Sequence, residues 1–310
     1  MNKLAANLSL YIITFFAAVQ YVFLSNVPDS VSTFAFLAIT NLIGFIITLA
    51  AFFRELARLD RKQITQALLL SLELLGFNVF LLLGSRGISA TVVGGVLSSY
   101  FAFIVLLSFF FTHKKPEGNK IVAVIIVLVG VFLMMNADFA GLLNKNILFL
   151  VISDVFFALY LLTAERFASS SNPSILAMGQ TLFNCVAATI AWSIECVITK
   201  TRMTLPMEPS FWGSVFFISF FIRGLYGIVQ IYAQRYVSPL NVSLIFSTEI
   251  IMTMAVSPLL ATYFGTEPDE ITVLRVIGAV IMMIGILIAD NTVVDAFTRR
   301  FKHDKVPAKN

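Results

Sequence analysis

Runs of about twenty apolar residues follow one another along almost the whole chain, and they limit the fold more than any other feature. A helix of that length is what crosses a hydrocarbon core, where no water is present to satisfy a peptide group. Ten such runs can be read: 4–25, 31–53, 64–84, 90–112, 119–136, 146–167, 173–198, 210–233, 239–264 and 271–290. Connectors such as Asn26-Val27-Pro28-Asp29 and Thr204-Leu205-Pro206-Met207-Glu208-Pro209 carry the residue types that end helices. The first run begins after Met1-Asn2-Lys3, as a signal peptide would. It is nevertheless long enough to span, and no small-x-small cleavage pattern follows, so it reads as a retained first span.

Composition agrees and narrows the function. Of the 310 residues 59% are hydrophobic and 12% charged, where a soluble domain would be about a quarter charged. Mean hydropathy is +0.92. The net charge of +4 includes no basic patch with interleaved aromatics, so nucleic acid is not an expected partner. Cys185 and Cys196 share one apolar run, which gives neither a disulfide framework nor metal-ligand spacing. His113 and His303 lie in basic segments away from clustered carboxylates, so no metal or other cofactor is expected. There is no Gly-x-x-x-x-Gly-Lys loop for ATP and no nucleophile–base pair, and an enzyme is not expected.

Lys and Arg set the expected orientation. With the N-terminus cytoplasmic, fifteen basic residues fall on the cytoplasmic side: Lys3, Arg54, Arg58, Arg61, Lys62, Lys114, Lys115, Lys120, Arg166, Arg235, Arg299, Arg300, Lys302, Lys305 and Lys309. Five fall opposite, namely Arg86, Lys145, Lys200, Arg202 and Arg275, and Arg223 stays inside a span. Cytoplasmic loops retain positive charge, so both ends are expected in the cytoplasm of a multi-pass protein of the plasma (inner) membrane. The tail 293–310 reads as a basic cytoplasmic segment that meets anionic lipid head groups.

The chain also repeats itself. Arg86-Gly-Ile-Ser-Ala after the third run matches Arg235-Tyr-Val-Ser-Pro after the eighth. Each leads into a long run with small polar residues at its centre, Ser98-Ser99 in one and Ser247-Thr248 in the other. Each then reaches a glycine among aliphatics, Leu128-Val-Gly-Val-Phe against Met283-Ile-Gly-Ile-Leu. Five helices per copy is odd, so the second copy sits upside down relative to the first. The expected fold is an all-α membrane protein of ten transmembrane helices in two inverted five-helix repeats, 1–142 and 143–292. Such repeats place a binding site near the midplane and permit alternating access.

The segments Arg235-Tyr-Val-Ser-Pro-Leu-Asn-Val-Ser-Leu-Ile, Gly265-Thr-Glu-Pro and Ile277-Gly-Ala-Val-Ile-Met-Met-Ile-Gly-Ile-Leu resemble the last three helices of EamA-type transporters of the drug/metabolite transporter superfamily. The resemblance covers nearly the whole chain. It implies two inverted five-helix repeats and export or exchange of metabolites such as amino acids. Small residues such as Ser98 and Ser99 are expected first of all to allow close helix packing, but the resemblance also puts Ser98, Ser99 and Tyr100 at a cavity wall. The first half departs from the family pattern. His113-Lys-Lys-Pro-Glu117 replaces the usual Gly-Glu turn, and Ser98-Ser99-Tyr100 stands where a central proline is frequent.

Charges at membrane depth are costly and usually face a bundle interior or a wet cavity. Glu73, Arg223 and Glu249 come out about 14 Å deep and Asp154 about 10 Å, at 1.5 Å per residue. Arg223, Tyr226, Gly227, Gln230 and Gln234 recur at helical steps and form one polar stripe, with Phe217, Phe221 and Ile228 opposite. Arginine binds a carboxylate through two parallel hydrogen bonds, so Arg223 is the expected anchor of an anionic group, with Tyr226 and Gln230 orienting the rest of the ligand. The alternative is a buried ion pair of Arg223 with Glu73. Glu73 and Glu249 are also candidates to carry protons, because a carboxyl away from water favours its neutral form. The alternative for both is a structural hydrogen bond from a neighbouring hydroxyl, such as that of Thr253 for Glu249. The function expected is secondary transport of a small polar metabolite, by a monomer or homodimer in contact with membrane lipids. The alternatives are efflux of lipophilic cations or drugs, through acidic groups and the 31 phenylalanines, and a non-transporting membrane subunit.

Overall fold

The computed structural model describes residues 3–58, 60–112, 115, 117–138, 141, 143–201, 205, 207–264 and 268–289. The basic tail, His113, Lys114 and the segment Gly265-Thr-Glu267 lie outside the described residues. Regular structure among the described residues is helical throughout. Eight helices are long and apolar enough to cross a membrane: Leu4–Ser25, Thr33–Glu55, Arg61–Ser85, Ala90–Phe111, Lys145–Ser170, Pro173–Thr199, Phe211–Ala233 and Asn241–Phe264. Two shorter apolar helices, Gly118–Met134 and Val273–Ala289, complete the bundle. At 17 residues each, these two span about 25 Å, the short end of what a bilayer needs.

In chain order the elements are α1 (Lys3–Ser25), α2 (Thr33–Phe52), α3 (Arg61–Ser85), α4 (Ala90–Leu97), α5 (Tyr100–Thr112), α6 (Gly118–Met134), α7 (Lys145–Ser170) and α8 (Pro173–Thr199). They continue with α9 (Pro209–Phe217), a π-helical segment (Ile218–Tyr226), α10 (Gly227–Ala233), α11 (Pro239–Phe246), α12 (Glu249–Phe264) and α13 (Val273–Ala289). Local chemistry explains where many of them begin. Asp60 and Gln63 form a reciprocal capping box at the start of α3. Ser32, Asn144 and Asn172 accept the first free N–H groups of α2, α7 and α8. Prolines open α8, α9 and α11, where their missing N–H costs nothing.

The fourth and ninth apolar runs, read from sequence as continuous, are each interrupted at the same relative place. Ser98-Ser99 separates α4 from α5, and Ser247-Thr248 separates α11 from α12. Hydroxyls at both interruptions bond back to their own helix, Ser98 to the Gly94 carbonyl at 2.9 Å, Ser247 to Leu244 and Thr248 to Ile245 at 2.7 Å each. Such back-bonding competes with the helical ladder and bends it. Tight turns follow, with Ser99 N–H on Val96 O at 2.9 Å and Thr248 N–H on Ile245 O at 3.1 Å.

Packing recurs between the halves. α3 lies against α7 and α8, as the Phe211–Ala233 helix lies against α1 and α2. The two short helices, α6 and α13, pack on each other through glycines, Gly130 and Gly285 of the repeat together with Gly278. A Cβ on Gly130 would sit 2.8 Å from the Gly278 carbonyl oxygen, and one on Gly278 would sit 2.7 Å from that of Gly130. Gly285 is as crowded, with Ile126 and Val127 methyls at 2.9 and 3.0 Å from the same construction. Backbone meets backbone there, so a side chain has nowhere to go. Gly130→Val is therefore expected to destabilise by about 1–3 kcal/mol through overpacking, seen as a lower melting midpoint in detergent. Gly118→Ala, with nothing within 4 Å of the added carbon, should not lower it. Equal midpoints for the two variants would show that the crossing is looser than described.

Candidate functional site

The long helices converge on a buried polar cavity of about 40 Å³. Both halves line it. α1 contributes Gln20 and Tyr21, α2 Asn41, α3 Phe77 and Asn78, α5 Tyr100, and α7 Asp154, Phe157 and Tyr160. From α8 come Gln180, Thr181 and Asn184, and from the Phe211–Ala233 helix Arg223, Tyr226, Gly227 and Gln230; Glu249 closes the ring from α12. One wall is aromatic, with Phe157 stacked on Phe77 at 4.6 Å and met edge-on by Tyr100 at 5.1 Å. One water needs about 10–15 Å³ of such space. The cavity thus has room for a few waters, and a metabolite requires its walls to separate.

Its chemistry comes from charged groups without fixed counter-charges. Arg223 is 6% exposed and sits in the π-helical segment, a geometry that often marks functional sites. The α2 backbone makes room for it at Gly44, where an added Cβ would overlap the Arg223 Cβ. Its Nε has no hydrogen-bond partner, and the one ion pair found among the described residues is Lys120–Glu117. Asp154, 0% exposed, accepts a hydrogen bond from Ser99 at 2.5 Å while its other oxygen is unpartnered. Glu249 faces the Tyr21 hydroxyl and keeps Oε1 unpartnered. The amide nitrogens of Gln180, Asn184 and Gln230 are unpartnered as well. Leaving buried donors and acceptors unpaired costs about 1–3 kcal/mol each, and more when they are charged. One guanidinium, two carboxyls and several amide donors around the same small space can each pair with a polar group placed there.

Six of the expected residues line this cavity: Arg223, Tyr226, Gln230, Tyr100, Glu249 and Asp154. The stripe on the Phe211–Ala233 helix does face inward, with Gln230 1% exposed. Opposite it, Phe217 and Phe221 stack on Phe23 and Phe16 of α1 at 4.6 and 4.5 Å. Ser98 and Ser99 do not line the cavity. They form the break beside it, and Ser99 acts through its bond to Asp154. Glu73 lies off the cavity too, bonded to Thr163 at 2.9 Å. Its ion pair with Arg223 does not form, because Arg223 turns toward the cavity and Glu73 toward α7. Thr253 spends its hydroxyl on the Glu249 main-chain carbonyl at 2.8 Å, not on the carboxyl. Gln180 and Asn184 are interhelical hydrogen-bonding groups, with Tyr160 and Ser71 at 3.3 and 3.0 Å, and they line the cavity besides. Tyr21 belongs to a polar face of α1 visible in the sequence, whereas Gln20, Asn41 and Asn78 are isolated polar residues with no pattern to single them out.

Comparison with known proteins agrees with this architecture. One solved structure, described only as the crystal structure of a protein, shares the fold with a TM-score of 0.65 over 94% of this chain and 97% of that one, at 16% identity. No curated protein matches the chain. The EamA-like transporter family matches residues 4–136 and again 144–289, one match for each half. With both halves matched and a polar cavity between them, the chain belongs to the EamA-like transporter family, a family of membrane transporters in the drug/metabolite transporter superfamily.

Proposed function

We propose that this transporter moves small polar metabolites such as amino acids, as an exporter or exchanger, by alternating access. The two halves, 1–142 and 143–292, act as inverted five-helix repeats, giving ten spans with both termini cytoplasmic in the plasma membrane. The observation that carries the reading is the buried Arg223, free of any ion pair among the described residues and facing the same cavity as Asp154 and Glu249. A guanidinium of that kind binds a carboxylate, and a carboxyl across the cavity can take an ammonium group, which together describe a dipolar guest. The narrowness of the cavity supports a cycle in which the walls open and close around that guest.

Thermal-shift screening against amino acids, nucleosides, sugars and cationic drugs tests this directly. A carboxylate-bearing compound is expected to stabilise the parent protein, and Arg223→Ala should bind it about ten- to a hundredfold more weakly, the equivalent of a charged hydrogen bond. Equal stabilisation of both proteins removes Arg223 from the binding role. The aromatic wall and two carboxyls favour a second reading, binding of lipophilic cations. In that case hits are insensitive to Arg223→Ala and lost in Asp154→Asn or Glu249→Gln.

The carboxyls also suit proton coupling. Asp154 and Glu249 each hold one neutral hydroxyl neighbour and no cation, so their charged forms gain from a proton or an ammonium group but not from both at once. Glu73, outside the cavity wall, would serve as a relay. Glu249→Gln is expected to abolish uptake driven by a pH gradient in liposomes while counterflow of substrate persists, and Glu73→Gln tested alongside separates relay from site. A normal pH-gradient response in both variants places the coupling elsewhere.

A further inference from the structure

We infer that Asp269 is the latch of a gate that shuts one mouth of the central cavity, and that each transport cycle releases it; the inference rests on the alternating-access reading above. Asp269 lies in the connection between α12 and α13. One of its carboxylate oxygens accepts three hydrogen bonds, from the Thr91 N–H at 3.0 Å, the Thr91 hydroxyl at 2.9 Å and the Ser257 hydroxyl at 2.8 Å. Thr91 belongs to α4 in the first half, and Ser257 to α12 in the second. The cap residue of α4 itself, Ser89, makes no side-chain capping bond, so the start of α4 is capped by the other half of the molecule. Partial burial pushes the Asp269 carboxyl up, but the Thr91, Ser257 and Ser89 donors outweigh it and leave it below its usual value, hence ionised at neutral pH.

What the latch holds shut is visible along α1, α4 and α12. Between α1, α4 and α12 at this end lies a polar vestibule of about 340 Å³, lined by Ser25, Asn26, Ser89, Ser257 and Asp269 among others. About 10–12 Å further along these helices, at 1.5 Å per residue from Ala90 to Leu97 and from Ser257 to Glu249, Tyr21, Leu97 and Glu249 line the central cavity. The space between is sealed where α4 meets α12 and α1. An added Cβ on Gly94 would lie 3.3 Å from the Thr253 hydroxyl and 3.4 Å from the Tyr21 ring. The seal is a glycine pressed against two side chains, and the carboxylate bridge keeps the helices in that contact. At the opposite end of the molecule the repeat's corresponding helix, α11, is capped by its own Ser238 at 3.5 Å. The bridge across the halves thus belongs to one end.

The test reads the gate without any substrate. In a Cys185→Ser, Cys196→Ser background, Ala17→Cys reports on the central cavity and Asn26→Cys on the vestibule. A membrane-impermeant methanethiosulfonate is added to whichever membrane face labels Asn26→Cys. Asp269→Ala is expected to raise the labelling rate of Ala17→Cys at least about tenfold, because loss of even one charged hydrogen bond shifts a two-state equilibrium by that much. Asp269→Asn, which keeps an acceptor but not the charge, should fall between. An unchanged rate in Asp269→Ala overturns the latch. If that variant does not fold, Thr91→Val with Ser257→Ala removes two donors and leaves Asp269 in place, and an unchanged rate there overturns it equally. Faster labelling in a protein that binds no carboxylate compound keeps the latch and removes the proposed substrate, so the two failures are separable.

Discussion

A peptide group inside a membrane has no water to fall back on, and every departure from regular helix at that depth needs a local reason. Among the described residues such departures include the breaks at Ser98-Ser99 and Ser247-Thr248 and the π-helical segment Ile218–Tyr226. All three border the same polar cavity. Hydroxyls at the breaks satisfy carbonyls of their own helices, so the exposed peptide edges are partly supplied from within. Irregular backbone is tolerated where it lines a cavity, and in repeat-built transporters interrupted helices form the binding site. The arrangement of the bundle follows from that one restriction.

The interior charges obey the same economy. Arg223, Asp154 and Glu249 stand in a site almost without exposure, and none of them is offset by a fixed ion among the described residues. A pair buried for stability alone would have been closed on itself, since removing one partner of a buried pair is far more costly than keeping both. Here the partners are held apart on different helices, Asp154 by Ser99 and Arg223 by the close approach of α2 at Gly44. Groups kept apart at a cost are available to a third party.

Glycines divide the labour differently at the two kinds of contact. Between α6 and α13, Gly130, Gly278 and Gly285 bring backbones into direct contact along the two helices, a contact suited to a fixed scaffold. Between α4 and α12, Gly94 makes a looser approach to Thr253, and the bond across the halves comes from Asp269 in a connecting segment. A hydrogen-bonded contact at a helix end opens more readily than a packed crossing in its middle. The two contacts therefore carry different chemistry, backbone packing in one and hydrogen bonds to a carboxylate in the other.

Length and polarity of the apolar runs determined the helices, because crossing hydrocarbon permits little else, and residues at three- and four-residue steps determined that Arg223, Tyr226 and Gln230 share one face. The paired small residues Ser98-Ser99 and Ser247-Thr248 and the repeated glycines were legible for the same reason: each acts within its own segment. Only tertiary structure decided which stripes meet. Asp154 joins Glu249 at the cavity while Glu73, equally deep by residue count, turns away to Thr163. Ser99 serves a carboxylate 55 residues distant and Asp269 a helix start 178 residues distant. Depth along a helix is a one-dimensional quantity that a sequence contains; rotation about the helix axis is set by neighbours packed against it, and a π-helical segment changes it as well.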